Sequence, residues 1–169
     1  MIIKYHLYNI KNAFSRKIGK DVSNLVSSGE INNNIKTQIK KATNEWISTV
    51  EKSVNLKANP SDVANLFCKD AVLRATFSQI LRDTPESIKE YFEYFARIPG
   101  LKVVNRDFNV AKITNDVYVN NAKVDWIHDG INENIESRMT FIFRRSQLGK
   151  WCIFQLHASE LPEPNPDIK

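Results

Sequence analysis

The sequence lacks the motifs and the long apolar segments that identify several large protein classes. No apolar run approaches the roughly 20 residues that a membrane-spanning helix needs. Phosphate-binding loops and GxGxxG fingerprints are absent, and so are the HExxH and GxSxG motifs of metallopeptidases and serine hydrolases. We therefore expect a protein without a transmembrane segment that works without a nucleotide.

Cysteine and histidine are scarce and scattered. Cys68 and Cys152 have no CxxC partner, so the spacing signals neither a zinc knuckle nor a disulfide framework, and we expect two reduced, largely buried thiols in a cytoplasmic protein. The three histidines, His6, His128 and His157, lie on separate segments without a second ligand at a useful spacing. The sequence thus predicts neither a metal nor another cofactor.

The positive charge is confined to the N-terminal end. The chain has a net charge of +5, but residues 1–20 contain five basic residues and no acidic one. A nucleic-acid surface distributes its basic residues over the domain, so we expect no nucleic-acid binding. Residues 1–20 resemble an organellar presequence or a surface-binding helix, and an arm that packs on the domain or on a sister subunit is the alternative.

Apolar periodicity and turn residues predict three helices and five strands. The predicted helices cover residues 35–56, 59–67 and 84–98, and the predicted strands cover residues 72–78, 101–114, 117–128, 135–145 and 150–159. This order is typical of an α+β domain in which a bent sheet closes over helices. We place a basic arm and linker at residues 1–34, the domain at 35–162 and a proline-rich tail at 163–169.

A few polar side chains lie where they could form a site. His157 and Ser159 are two apart on the last strand, so they share a face, and His157 is either a proton carrier near neutrality or a structural histidine. Tyr91 lies on the apolar face of the third helix, where its hydroxyl meets either a ligand or a partner in the core. Arg138 and Thr140 share one face of the fourth strand; on the concave side they would favour an anion, on the convex side they would be solvated.

Four ordered blocks carry a resemblance to a known family. They comprise residues 71–78, residues 88–92 with Phe95, residues 138–144, and residues 149–153 leading to His157, Ser159 and Pro162. Residues 46–162 resemble the association-domain family of calcium/calmodulin-dependent protein kinase II, and within it the iota-class carbonic anhydrases. The resemblance implies a cone-shaped fold of the nuclear transport factor 2-like type, with N-terminal helices packed in the concavity of a strongly curved antiparallel sheet.

The resemblance to the iota class also implies a function. It places bicarbonate binding on Thr76, Tyr91 and Ser159, with Tyr91 or His157 relaying the proton during reversible carbon dioxide hydration, in some members without metal. This sequence departs from the family pattern where Gln155 and Leu156 replace expected histidines and Ala158 replaces a serine. Further candidate ligand-binding residues are Ser78, Tyr94, Arg138 and Thr140.

The association-domain resemblance implies a second function. It favours a non-catalytic module for oligomerisation or for binding a small ligand. In either case we expect a homodimer or a larger homo-oligomer, because the convex face of a curved sheet commonly pairs with a copy of itself. Trp126, Phe141 and Phe143 are the predicted apolar patch for that contact.

Overall fold

The computed structural model describes residues 31–55, 57–129 and 134–160. The predictions for residues 1–30 and for the proline-rich tail therefore lie outside the described residues. The helices are α1 (Asn33–Val54), α2 (Pro60–Ala64) and α3 (Pro85–Phe95). The strands are β1 (Phe67–Arg74), β2 (Lys102–Lys112), β3 (Val117–Ile127), β4 (Ile135–Arg145) and β5 (Trp151–Glu160). The order of the elements agrees with the prediction.

Local sequence signals start each helix. Asn32 caps α1, and its side-chain oxygen accepts a hydrogen bond from the Asn34 backbone N–H at 2.9 Å. At the start of α3, Thr84 and Ser87 cap each other's backbone N–H groups, and Pro85 occupies the first turn, where its missing N–H costs nothing. No helix among the described residues is long and apolar enough to cross a membrane.

The sheet has the strand order β1-β5-β4-β3-β2. Strands β2 to β5 pair antiparallel, as predicted, but β1 pairs parallel with β5, so the sheet is mixed. Hydrophobic periodicity reports which residues share a face and not the direction of a strand relative to its neighbour. The first strand also runs over Phe67–Arg74, earlier than predicted, so Thr76 and Ser78 follow the strand.

The core lies between the helices and one face of the sheet, which we call the inner face; Ala122, Met139 and Phe141 belong to it. Trp46 of α1 packs at its centre, with ring centroids 5.2 Å from Phe141 and 6.4 Å from Trp126. A buried polar pair ties the helix to the sheet, because Asn120 Nδ2 donates to Thr43 Oγ1 at 2.7 Å. These contacts orient α1 over the inner face.

The predicted convex apolar patch is wrong. Trp126, Phe141 and Phe143 are 6%, 0% and 1% exposed, because their strands turn these side chains towards the helices. The opposite, outer face carries polar residues at the alternate positions, among them Lys123 and Arg138. An association through the outer face would therefore be largely polar.

The cysteines form a disulfide, so the prediction of two reduced thiols is also wrong. Parallel pairing sets Phe67 opposite Ile153, which brings Cys68 next to Cys152 with their Cα atoms 5.2 Å apart. Residue spacing alone could not reveal this pair, since 84 positions separate the two cysteines and only the strand pairing makes them neighbours. The bond fastens the beginning of β1 to the beginning of β5.

Candidate functional site

A cavity of about 100 Å³ lies between the helices and the inner face of the sheet. Aromatic rings form much of its wall: Trp46, Tyr91, Phe92, Phe95 and Trp126. Three structural features deliver them, because α1 and α3 lie over the inner face and β3 presents Trp126 from below. The cavity is thus a mainly apolar space with a small number of polar side chains.

Two of the polar groups in the wall are already satisfied by each other. Trp126 Nε1 donates to Ser137 Oγ at 3.0 Å, and Ser137 Oγ donates to the Val124 carbonyl at 2.9 Å. A buried donor that has found its partner gains little by switching to a ligand. This chain of bonds fixes the wall on the β3–β4 side.

Tyr91 is the polar group of the wall that is available to a ligand. The residue is 6% exposed, and its hydroxyl makes no hydrogen bond to any residue that the structure describes. Burial raises the pKa of Tyr91 well above its usual value, and the Arg82 guanidinium, 5.6 Å from the ring centre, opposes this effect without cancelling it. At neutral pH the hydroxyl therefore stays protonated and acts as a hydrogen-bond donor.

Arg82 also holds the connection between β1 and α3. Its Nη1 donates to the Ser87 carbonyl at 2.7 Å, and its backbone pairs with Leu73 through two hydrogen bonds. The chain between these ties carries Thr76 and Phe77 along the cavity. The position of the first polar wall residue thus depends on a closed loop and not on the strand itself.

His128 and Glu160 also line the cavity, at the ends of β3 and β5. His128 Nδ1 lies 2.9 Å from the Asp129 carbonyl oxygen, so the tautomer with a proton on Nδ1 donates there and leaves Nε2 as an acceptor. The Asp129 N–H donates to the Pro99 carbonyl at 3.1 Å. These bonds hold the end of β3 against the segment that leads into β2.

The predicted site residues do not all meet. Thr76 and Tyr91 line the cavity, as expected, but His157 and Ser159 do not. On β5 it is Leu156, Ala158 and Glu160 that line the cavity, and alternation turns His157 and Ser159 to the other side. The shared face of His157 and Ser159 was predicted correctly, but periodicity could not tell that this face is the outer one.

The other predicted ligand-binding residues also lie away from the cavity. Arg138 pairs with Ser159 and Thr140 with His157 across the β4–β5 ladder, so these four form one cluster on the outer face. Tyr94 is 61% exposed. Ser78 follows β1, and its hydroxyl donates to the Ile80 carbonyl at 3.2 Å. The predicted anion site around three hydroxyls is therefore not assembled in this structure.

Sequence reasoning missed four lining residues: Trp46, His128, Ser137 and Glu160. Trp46 was read only as part of the apolar face of a helix, which is also the signal of a core residue. His128 and Glu160 stand at strand ends, where alternation gives no clear face. Among the described residues, no three His, Cys, Asp or Glu side chains come together in the way that a metal site requires.

The comparison with curated proteins gives no match. Among solved structures, a candidate calcium/calmodulin dependent protein kinase II association domain from Xanthomonas campestris is 27% identical; the alignment covers 74% of this chain and 86% of that one, with a TM-score of 0.60. A nuclear transport factor 2-like protein of unknown function from Pseudomonas putida KT2440 is 13% identical over 80% and 99% of the two chains, with a TM-score of 0.65.

A third structure is a candidate scytalone dehydratase from Novosphingobium aromaticivorans, 11% identical over 77% of this chain and 87% of that one, with a TM-score of 0.63. These likenesses show the nuclear transport factor 2-like fold, and the first confirms the predicted resemblance to the kinase association-domain family. The model of the SnoaL-like domain matches residues 39–164. That match spans most of the chain and all the strands and helices around the cavity, so the protein belongs to the SnoaL-like domain family.

Proposed function

We propose that the protein binds a small uncharged molecule, one ring in size and carrying a hydrogen-bond acceptor oxygen, in the aromatic cavity. The observation that carries this proposal is the free Tyr91 hydroxyl in an otherwise apolar wall. An engineered apolar cavity of about 150 Å³ binds benzene, so a cavity of about 100 Å³ suits a ligand no larger than a single ring. Specificity would come from one donor placed among many apolar contacts.

The lining argues for a neutral ligand. No lysine or arginine lines the cavity among the described residues, whereas Glu160 does. An anion in such surroundings loses its hydration without gaining a counter-charge, at a cost of several kcal/mol. A ketone or a similar neutral acceptor avoids this cost and still accepts the Tyr91 proton.

The proposal is tested with a pair of probes of one shape. Cyclohexanone and methylenecyclohexane differ only in the exocyclic oxygen, and binding of each is followed by NMR shifts of the indole N–H groups of Trp46 and Trp126. We expect Tyr91→Phe to weaken cyclohexanone about 5- to 10-fold, which corresponds to one net hydrogen bond of about 1 kcal/mol, and to leave methylenecyclohexane unchanged.

Tyr94→Phe is the matched control, because Tyr94 is an exposed tyrosine on the same helix. It should leave both affinities as they are. If neither probe shifts the indole signals at millimolar concentration, the cavity is not a ligand site; if Tyr91→Phe weakens both probes equally, the hydroxyl is not the donor that distinguishes them.

Reversible carbon dioxide hydration is the second candidate, favoured by the presence of Thr76 and Tyr91 in one cavity. Ser159 on the outer face and the absence of a cation in the described lining weaken it. Stopped-flow hydration assays on metal-stripped protein separate the two candidates. A rate above buffer that Thr76→Ala abolishes would support the hydratase, whereas we expect the buffer rate alone.

Self-association is a further part of the proposal. It rests on the 27% identity to a candidate kinase association domain and on the uncovered outer face around Arg138 and Thr140. Light scattering coupled to size-exclusion chromatography should give the mass of a dimer or a larger ring. A monomer mass at micromolar concentration would exclude it.

A further inference from the structure

A second concavity, a groove of about 540 Å³, lies between the first half of α1 and the β4–β5 turn. The groove is lined by Gln38, Lys41, Glu45, Lys150, Trp151 and Cys152, among others. It is distinct from the aromatic cavity, and of the two cysteines only Cys152 lines it. The groove therefore leads from solvent to one end of the disulfide.

The charge and the wall of the groove suit a small anion. Two lysines face one glutamate among its lining residues. Trp151 Nε1 donates to Gln38 Oε1 at 2.9 Å, which anchors the indole as a fixed wall. A nearby thiol that carries an extra carboxylate would be attracted here more strongly than a neutral or a cationic thiol.

The two sulfur atoms differ in access. Cys68 is 7% exposed, whereas Cys152 is half-buried and borders the groove. Thiol–disulfide exchange requires a thiolate to reach one sulfur, and access decides which one is attacked. Cys152 Sγ is therefore the atom that an incoming thiolate meets.

We propose that the groove admits small anionic thiols of the glutathione class, which reduce the Cys68–Cys152 disulfide and thereby loosen the wall of the aromatic cavity. The thiolate sulfur bonds to Cys152 Sγ, the bond between the two cysteine sulfurs breaks, and its electron pair leaves on Cys68 Sγ, which takes a proton from water. A second thiolate attacks the external sulfur of the mixed disulfide and releases Cys152 as a thiolate. Two thiols are oxidised to one disulfide, and two cysteines are reduced.

The coupling to the cavity follows from the irregular pairing of β1. This strand pairs with β5 at Phe67, loses register, and pairs again only at Val72–Arg74. The disulfide and the exposed Asp70–Arg144 ion pair are the side-chain ties of the irregular stretch among the described residues. The chain then continues to Ala75 and Thr76, which line the cavity. Opening the covalent tie leaves this wall held by a short ladder.

The first test measures selectivity among thiols. Reduction is followed by alkylation and mass spectrometry with glutathione, neutral 2-mercaptoethanol and cationic cysteamine at equal thiolate concentration. We expect glutathione to react about 3- to 10-fold faster than cysteamine, with the ratio falling towards one in about 1 M salt and in the Lys41→Gln/Lys150→Gln variant. Lys36→Gln, an exposed lysine of the same helix outside the groove, should keep the full ratio. Equal rates in the wild type would overturn the groove as the entry site.

The second test measures the coupling, and its binding arm rests on the function proposed above. Reduced protein should bind cyclohexanone about 3- to 10-fold more weakly than oxidised protein, and Cys68→Ser/Cys152→Ser should match the reduced form with or without thiol. Hydrogen exchange at residues 71–76, measured without any probe, should also speed up on reduction. Unchanged exchange would refute the coupling, whereas faster exchange without any cyclohexanone binding would refute only the proposed ligand.

Discussion

Gly100 occupies a backbone conformation that suits only glycine. Its φ is +66°, in the left-handed region, and a Cβ built there would clash with the carboxylate of Asp129. Because Asp129 follows His128, the glycine allows the end of β3 to lie against the segment before β2, at the edge of the cavity. The sequence predicted Gly100 only as the end of a helix.

We expect Gly100→Ala to lower the free energy of unfolding by about 2–4 kcal/mol, since it combines left-handed strain with a steric clash. Gly149→Ala is the control: its φ is +77°, but its Cβ would meet only the flexible end of Arg145 at 3.8 Å, so the loss should be about 1–2 kcal/mol. Urea unfolding measures both. If Asp129→Ala rescues none of the excess loss in Gly100→Ala, the clash is not its cause.

The separate elements were largely predictable, and their arrangement was not. Spacing of apolar residues such as Ile39, Trp46 and Val50 defined α1, and alternation defined β4 to the residue. The parallel direction of β1, the disulfide and the face of β5 that meets the cavity depend on pairing between distant segments. Local patterns carry no such information, which is why Thr76 and Tyr91 were placed correctly but Ser159 was not.

The ion pair between Asp70 and Arg144 links β1 to β4, and it predicts a dependence of stability on pH. The Arg144 guanidinium lowers the pKa of Asp70 below its ordinary 3.8, chiefly through its hydrogen bonds. A lowered pKa in the folded state means that the pair stabilises fully above the unfolded pKa and is lost as pH falls through the folded one. The pair is exposed, so the effect is small.

We therefore expect Asp70→Asn to be less stable than the wild type by a constant amount above about pH 5, with the difference vanishing near pH 2. Thermal unfolding across this range measures it. Asp116→Asn, which removes an exposed carboxylate without an ion pair among the described residues, should track the wild type. A difference for Asp70→Asn that persists at pH 2 would point to packing instead of charge.

As a whole, the molecule places two functions on opposite ends of one sheet. The aromatic cavity lies under α3 and the ends of β3 and β5, whereas the disulfide and its groove lie at the starts of β1 and β5. Disulfides persist in oxidising surroundings, so the bond favours such a compartment over the cytoplasm that the composition suggested. Residues 1–20, basic and free of acids, keep their predicted role as a presequence or a packing arm.

The disulfide should also contribute much of the stability of the described domain. It closes a chain segment with a sequence separation of 84, and restricting the unfolded chain in this way stabilises a fold by typically about 2–4 kcal/mol. We expect Cys68→Ala/Cys152→Ala to lose about this amount in urea unfolding without thiol, and to match the reduced wild type when dithiothreitol is present. Because the cross-link also makes the unfolded chain more compact, the oxidised protein should show the smaller dependence of unfolding free energy on urea. Equal stability of the variant and the oxidised wild type would mean that the two cysteines are not joined in solution, and the proposed gating of the cavity by thiols would then fail with it.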